Sequence, residues 1–195
     1  MSPAGIILYG PPGAGKDTVA AELTQLRGEF ALFERLKAGP GRTTGYRLTS
    51  REHIARLVEA GEVLYRNSRY NAEYAIDRPG LAEVVISGRI PVLHMGQVVG
   101  ARAVETFPLR WLKVLLWCPR EVTEDRCIQR GDKDVEARLK VWDETREDLL
   151  ANATEPWSLV IETHHCSAAE TAKAITEALE DNPAAVVRDI PGLVS

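Results

Sequence analysis

Residues 6–23, IILYGPPGAGKDTVAAEL, set a glycine-rich segment between an apolar run and an amphipathic one. Gly10, Gly15 and Lys16 fit G-x-x-x-x-G-K-[ST], but Asp17 takes the hydroxyl position and Thr18 brings the hydroxyl one residue late. This spacing suits phosphate binding. Glycines let backbone N–H groups turn inward around an anion, and a helix starting at Lys16 adds partial positive charge. Lys16 would reach the β- and γ-phosphates of a nucleotide as a point charge. Gly10, Gly13, Ala14, Gly15, Lys16, Asp17 and Thr18 thus form the expected nucleotide-phosphate site, with Thr18 available to the α-phosphate. Asp17 admits two compatible roles. A carboxylate in a first helical turn is favoured by the dipole, by about 0.3–1 kcal/mol. Beside a triphosphate it is repelled unless a cation lies between, so it would hold Mg2+ through coordinated water.

A second charged group lies downstream. RCIQRG places Arg126 and Arg130 four apart on one helical face, and Arg138 on the next helix would approach from the far side. Transfer of a γ-phosphoryl group needs positioning and charge neutralisation more than covalent help, so Lys16, Arg126, Arg130 and Arg138 are the expected catalytic set. Their competing role is surface ion pairing, since Glu124, Asp125, Asp132 and Asp134 are close in sequence. Arg146 reads as an exposed helix residue. No strand-terminal Asp suggests a further metal ligand, and there is no Asn-Lys-x-Asp to select GTP, so ATP is the expected donor.

These residues need a scaffold, and the patterning supplies one. Apolar runs at GIILY, FALFE, IPVLHM, WLKVLLWC and WSLVIET alternate with helical patterns at KDTVAAELTQL, LAEVVISGR, QVVGARAVETF, 120–130, DVEARLKVWDETREDLLAN and SAAETAKAITEALE. Strands alternating with helices predict an open parallel sheet with helices on both faces, which binds ligands beyond the carboxyl ends of its strands. The expected class is α/β, a three-layer P-loop NTPase fold with a five-stranded parallel core sheet. The expected division is a core of residues 1–35 and 78–180 with a lid near 130–135, and an acceptor-binding insert at 36–77. A tail at 181–195 would drape over the surface or be disordered.

Bulk properties narrow the class. The chain has 195 residues, enough for one domain with a real core, and a formal charge of −4 argues against a nonspecific nucleic-acid binder. No apolar run reaches membrane-spanning length. The start, MSPAGIILYG, has no basic region or cleavage motif, so a cytoplasmic protein is expected. Cys118, Cys127 and Cys166 read as reduced thiols. His53, His94, His164 and His165 make no metal signature, and the adjacent pair is expected in a loop.

Four segments, GPPGAGKDT, TSREHIARLVEAGEVLYRNSRYNAEYAI, ISGRIPVLHMGQ and RCIQRGDKDVEARL, follow one another as in the guanylate kinase family. The chain resembles that family over about residues 5–180. It is also similar to ribose 1,5-bisphosphate phosphokinases, whose loop likewise reads G-K-D; adenylate kinases also place Thr one position late. The resemblance implies phosphoryl transfer from Mg·ATP to a small phosphorylated acceptor, by a monomer or homodimer, with Arg126, Arg130 and Arg138 as lid arginines. It implies that Arg35, with Lys37 or Arg42 as a second cation, and Tyr46 and Tyr74 hold the acceptor phosphate. Where the family aims a glutamate at guanine this chain has Tyr65; the neighbouring base-reading positions fall on Ile76 and Met95. Guanine's N1–H and amino group need acceptors, and each unpaired buried polar group costs roughly 1–3 kcal/mol. The resemblance therefore predicts a poor fit for GMP, and leaves open a ribose bisphosphate or another nucleotide stacked on Tyr65. A non-catalytic binding module of the same fold is the alternative of another class.

Overall fold

The computed structural model describes residues 3–69 and 71–195; Met1, Ser2 and Tyr70 lie outside the described residues. Five parallel strands form the central sheet: β1 (Ala4–Tyr9), β2 (Phe30–Leu32), β7 (Ile90–Met95), β8 (Arg110–Trp117) and β10 (Leu159–Glu162). Their order is β10-β8-β1-β7-β2, with every pairing parallel. Alternation along β1 shows why helices cover both faces. Ile6 and Leu8 pack with Val19, Ala20 and Leu23 of α1 (Lys16–Leu26) and with Ala172, Ile175 and Leu179 of α7 (Ala168–Asp181). Ile7 and Tyr9 face the other way, onto Val98, Ala101 and Val104 of α4 (Val98–Glu105) and Trp142 and Leu149 of α6 (Val135–Ala151). A strand apolar at every position must be buried on both faces, and here it is. Among the described residues no helix is long and apolar enough to cross a membrane.

Between β2 and the next core element, α3 (Arg78–Ile86), the chain builds a second sheet where sequence patterning showed no strands. Its strands are β3 (Arg35–Ala38), β4 (Tyr46–Leu48), β5 (Val63–Arg69) and β6 (Ala72–Asp77), in the order β4-β3-β6-β5. One face carries Leu36, Ala38 and Ala75, packed on Ile54 of α2 (Arg51–Glu59), a satellite core too small to give a long apolar signal. By period-two alternation the opposite face carries Arg35, Lys37, Tyr65, Asn67, Arg69 and Tyr74. Register aligns them, with Arg35 opposite Tyr46, Lys37 opposite Tyr74, and Tyr74 opposite Asn67.

The C-terminal segment is largely exposed on the surface, as a draped tail would be, but it is ordered and pinned at two points. Strand β11 (Val186–Val187) pairs antiparallel with β9 (Pro156–Trp157), and α8 (Ile190–Leu193) follows. Ile190 is wholly buried and Val194 nearly so, within the core around Tyr9 and Trp157. Arg146, expected on an exposed helix face, is half-buried and donates from Nε to the Val194 carbonyl at 2.8 Å. The signal was weak because the anchoring falls to a few apolar side chains, Ile190, Leu193 and Val194, of a short, proline-containing segment. Ile190→Ala is expected to cost about 2–5 kcal/mol, as buried Ile deletions do. Equilibrium denaturation measures it; a change below about 0.5 kcal/mol, usual for an exposed site, would remove Ile190 as an anchor.

Candidate active site

The phosphate loop takes its shape from Gly13 (φ 76°) and Gly15 (φ 83°), in the left-handed region that other residues adopt only with strain. Gly15 is the N-cap of α1 and has no side chain to satisfy the first-turn N–H groups, which are left for an anion. Lys16 curls back over the loop, its Nζ donating to the carbonyls of Gly10 (2.6 Å) and Pro11 (2.8 Å). Burial lowers its pKa to about 8; Asp17 and Cys118 oppose the shift and Arg35 adds to it. Asp17, the next residue, is 83 % exposed.

This loop and the front face of the small sheet line one cavity of about 420 Å³. Gly10, Gly13, Gly15, Lys16, Asp17 and Thr18 stand on one side; Arg35, Arg42, Tyr46, Tyr65, Asn67, Arg69 and Tyr74 stand on the other. Arg130 and Arg138 reach it from the helix side. Among the described residues Asp17 is the single carboxylate on a wall that holds Lys16 and five arginines. The cavity is built for anions.

Arg35 lies at its base. Its Nη2 donates to the His94 carbonyl and lies 3.6 Å from the Met95 sulfur. Burial, resisted by Tyr65 and Tyr46, weakens its hold on the proton, and Arg69 adds to the effect. Tyr46 and Tyr74 pack with ring centroids 5.4 Å apart. Lys37 departs from expectation: it is not among the cavity-lining residues. Its buried Nζ donates to the carbonyls of Pro40 (2.7 Å) and Arg42 (2.6 Å), and sits 5.6 and 5.9 Å from the rings of Tyr46 and Tyr74. It braces the tyrosines and the Arg42 loop from behind, and Arg42 is the cation that lines the cavity. The Tyr65 hydroxyl donates to Gln97 Oε1.

The three arginines expected over the transferred phosphate divide. Arg126 braces the phosphate loop: it donates to the Gly13 carbonyl (2.7 Å), the Thr163 hydroxyl (3.1 Å) and the Thr163 carbonyl (2.7 Å). It lines a second cavity of about 450 Å³ with Ala14, Thr163, Cys166 and Ser167. Gly13, Gly15, Thr18 and Arg130 line both cavities, so the loop joins them. Arg130 and Arg138 share Asp132, at 2.6 and 3.3 Å, and Arg138 also meets Asp134 at 3.0 Å. The hydrogen bond from Arg130 holds the Asp132 carboxyl below the usual range, helped by Arg138. Exposed pairs of this kind are weak, so a polyphosphate can compete for both arginines.

Asn67, Arg69, His94 and Gln97 are cavity residues that the sequence did not mark as part of the site. Alternation from Tyr65 would have found Asn67 and Arg69, since the three share a face of β5. His94 and Gln97 gave no such signal; they are placed by the end of β7 lying next to β1. The His164–His165 pair lies beyond β10, as expected of a loop, but its imidazoles and Glu162 bring ligating atoms within 4.8 Å of one another. All three cysteines are free thiols.

The central sheet of order β10-β8-β1-β7-β2, with a lysine-bearing glycine loop at the end of β1 and a small sheet across from it, makes the three-layer α/β P-loop fold. No family model and no curated protein matches the chain. Among solved structures, a guanylate kinase from Anaplasma phagocytophilum aligns over 93 % of this chain and 87 % of its own, at 19 % identity and a TM-score of 0.64. A shikimate kinase from Acinetobacter baumannii, in complex with shikimate, aligns over 93 % and 95 % at 19 % identity, with a TM-score of 0.47. The likeness to the guanylate kinase is one of fold.

Proposed function

We propose that the protein transfers a phosphoryl group from Mg·ATP to a small phosphorylated acceptor, of the nucleoside monophosphate type but altered where guanine would be read. One observation carries the reading: the loop bearing Lys16 and the face bearing Arg35, Arg42, Tyr46 and Tyr74 line the same cavity. Donor and acceptor phosphates held there would approach in line. An acceptor phosphate oxygen bonds to the γ-phosphorus as its bond to the β-phosphate bridging oxygen breaks, and ADP leaves. The first-turn amides and Lys16 bind the donor phosphates, while Arg130 and Arg138 neutralise charge on the transferring group. Asp17 fits Mg2+, being an exposed hard oxygen donor beside the loop. Mg2+, when bound, supplies charge neutralisation on the β- and γ-phosphates. Lys37 organises this site, whereas Arg126 holds the loop that Lys16 needs.

The acceptor's far end is the open feature. Asp17 belongs to the phosphate loop, so among the described residues the wall opposite offers guanine no carboxylate. Tyr65 is engaged with Gln97, and Met95 takes the contact from Arg35. Asn67 Oδ1 is buried without a hydrogen-bond partner on that wall, and Arg69 stands two residues along the same strand. A cationic wall with an unpaired oxygen suits a hydroxylated, anionic group, which favours ribose 1,5-bisphosphate as a second reading. A binding module without catalysis would have no need of Lys16 or of arginines poised over the loop.

A panel of nucleoside monophosphates and ribose phosphates, assayed by ADP release, tests the reading. GMP is expected to show kcat/KM at least about a hundredfold below the best acceptor, the usual discrimination when polar groups go unpaired. GMP as the best acceptor would refute the altered-base reading. ATP binding with no acceptor-stimulated ADP release across the panel would support the binding module instead.

A further inference from the structure

His94 has no role in the reaction as described, yet it occupies a conspicuous position. It is the fifth residue of β7, whose neighbour β1 runs into the phosphate loop, and it lines the cavity with Lys16, Asp17 and Arg35. Its Nδ1 lies 3.4 Å from Asp17 Oδ1. Its Nε2 is buried without a hydrogen-bond partner, and Nδ1 is the nitrogen beside the carboxylate. Two donors around an octahedral divalent ion at about 2.1 Å stand roughly 3 Å apart along an edge. The observed separation is close to that edge, and a small rotation of the exposed Asp17 closes it.

We infer that His94 Nδ1 and Asp17 Oδ1 form a mixed nitrogen–oxygen site for the nucleotide's divalent cation, and that this site favours Mn2+ over Mg2+. The inference rests on the phosphate-loop reading and adds a ligand to it. Mg2+ prefers hard oxygen donors in a near-ideal octahedron, whereas imidazole raises affinity along the series from Mn2+ toward Cu2+. The ring offers a nitrogen donor beside the Asp17 carboxylate. Lys16 and Arg35 are the cations that face it, and the triphosphate that brings the metal also supplies the charge to offset them. An ordinary metal-binding loop with Ser or Thr after the lysine needs no such partner; the hydroxyl's replacement by Asp17 and the imidazole beside it form a consistent pair.

Pulsed electron paramagnetic resonance on the full chain with Mn2+ and a non-hydrolysable ATP analogue tests this directly. The expected spectrum shows the coupling of a directly bound imidazole nitrogen. Labelling the wild-type protein with 15N-histidine should convert that coupling to the 15N pattern, which needs no variant to fold. The His164→Ala/His165→Ala double variant should keep it, assigning it away from the loop after β10. His94→Gln should abolish the coupling and lower the Mn2+-over-Mg2+ preference of the ternary complex about tenfold, the low end of the usual cost of disturbing a metal site. A bound Mn2+–nucleotide complex with no histidine nitrogen coupling, or a coupling lost in the double variant, overturns the inference while leaving the phosphate loop as the nucleotide site. Failure of the wild-type protein to bind the nucleotide with either metal overturns both.

Discussion

Replacing Lys16 with alanine is expected to lower phosphoryl transfer by about 10²–10³-fold, the usual loss when one preorganised charge is taken from a developing anion. The fold should survive. Lys16 Nζ is held by two loop carbonyls, Gly10 and Pro11, rather than by a carboxylate, so no buried charge is orphaned by its removal. Steady-state rates of ADP release and a melting curve check both halves; a wild-type rate would remove Lys16 from the mechanism. The lysine also fixes a pH dependence. In the free protein its pKa is lowered to about 8, first of all by burial. A bound triphosphate places negative charge beside the ammonium and raises that pKa, so binding is linked to proton uptake above pH 8. Nucleotide affinity should be fully developed below pH 8 and fall by up to about tenfold per pH unit above it, until the pKa of the complex is reached. Titration calorimetry from pH 7 to 10 reads this directly. In Lys16→Met the dependence should vanish.

What the sequence could reveal followed the strength of local patterns. The helix at Lys16–Leu26 and the strand at Ile90–Met95 coincide with their apolar periodicity, because each packs on a large core that demands long, regular runs. The small sheet was invisible as strands. Its satellite core needs only Leu36, Ala38, Ile54 and Ala75, and its front face is polar by design of the cavity. Residue types alone could list Lys37 and Arg42 as alternatives. Backbone register separated them, since Lys37 lies mid-strand beneath two tyrosine rings while Arg42 lies in the loop beyond. Arg126 and Arg130 share a helical period but not a destination, because Thr163 and Gly13 meet only the first of them. Such differences arise from contacts distant in sequence, which no window of local pattern contains.

A large stability effect lies within the sheet itself, where Lys113 of β8 is paired with Ile7 of β1. Lys113 on β8 and Glu155 are both almost wholly buried and directly ion-paired. Arg102 Nε meets Glu155 at 2.7 Å, and Lys113 also meets Glu105 at 3.1 Å. Burial opposes the charge on Glu155, but the hydrogen bonds from Lys113 and Arg102 outweigh it and hold the carboxyl below its usual range. Lys113→Met is expected to destabilise the fold by about 3 kcal/mol, because a buried carboxylate then keeps one partner instead of two. The double variant Lys113→Met/Glu155→Leu should recover most of that loss, since a buried pair replaced by apolar groups of like volume is often neutral. The sign of the pH effect follows from the depressed pKa. Glu155 contributes fully above the unfolded carboxylate range, and its contribution fades as pH falls through the lower folded value. The acid limb of stability should therefore be shallower in the double variant than in the wild type. Urea denaturation of the three proteins at neutral and acid pH measures all of these quantities, and a double variant no more stable than Lys113→Met would show that packing, not the stranded charge, sets the loss.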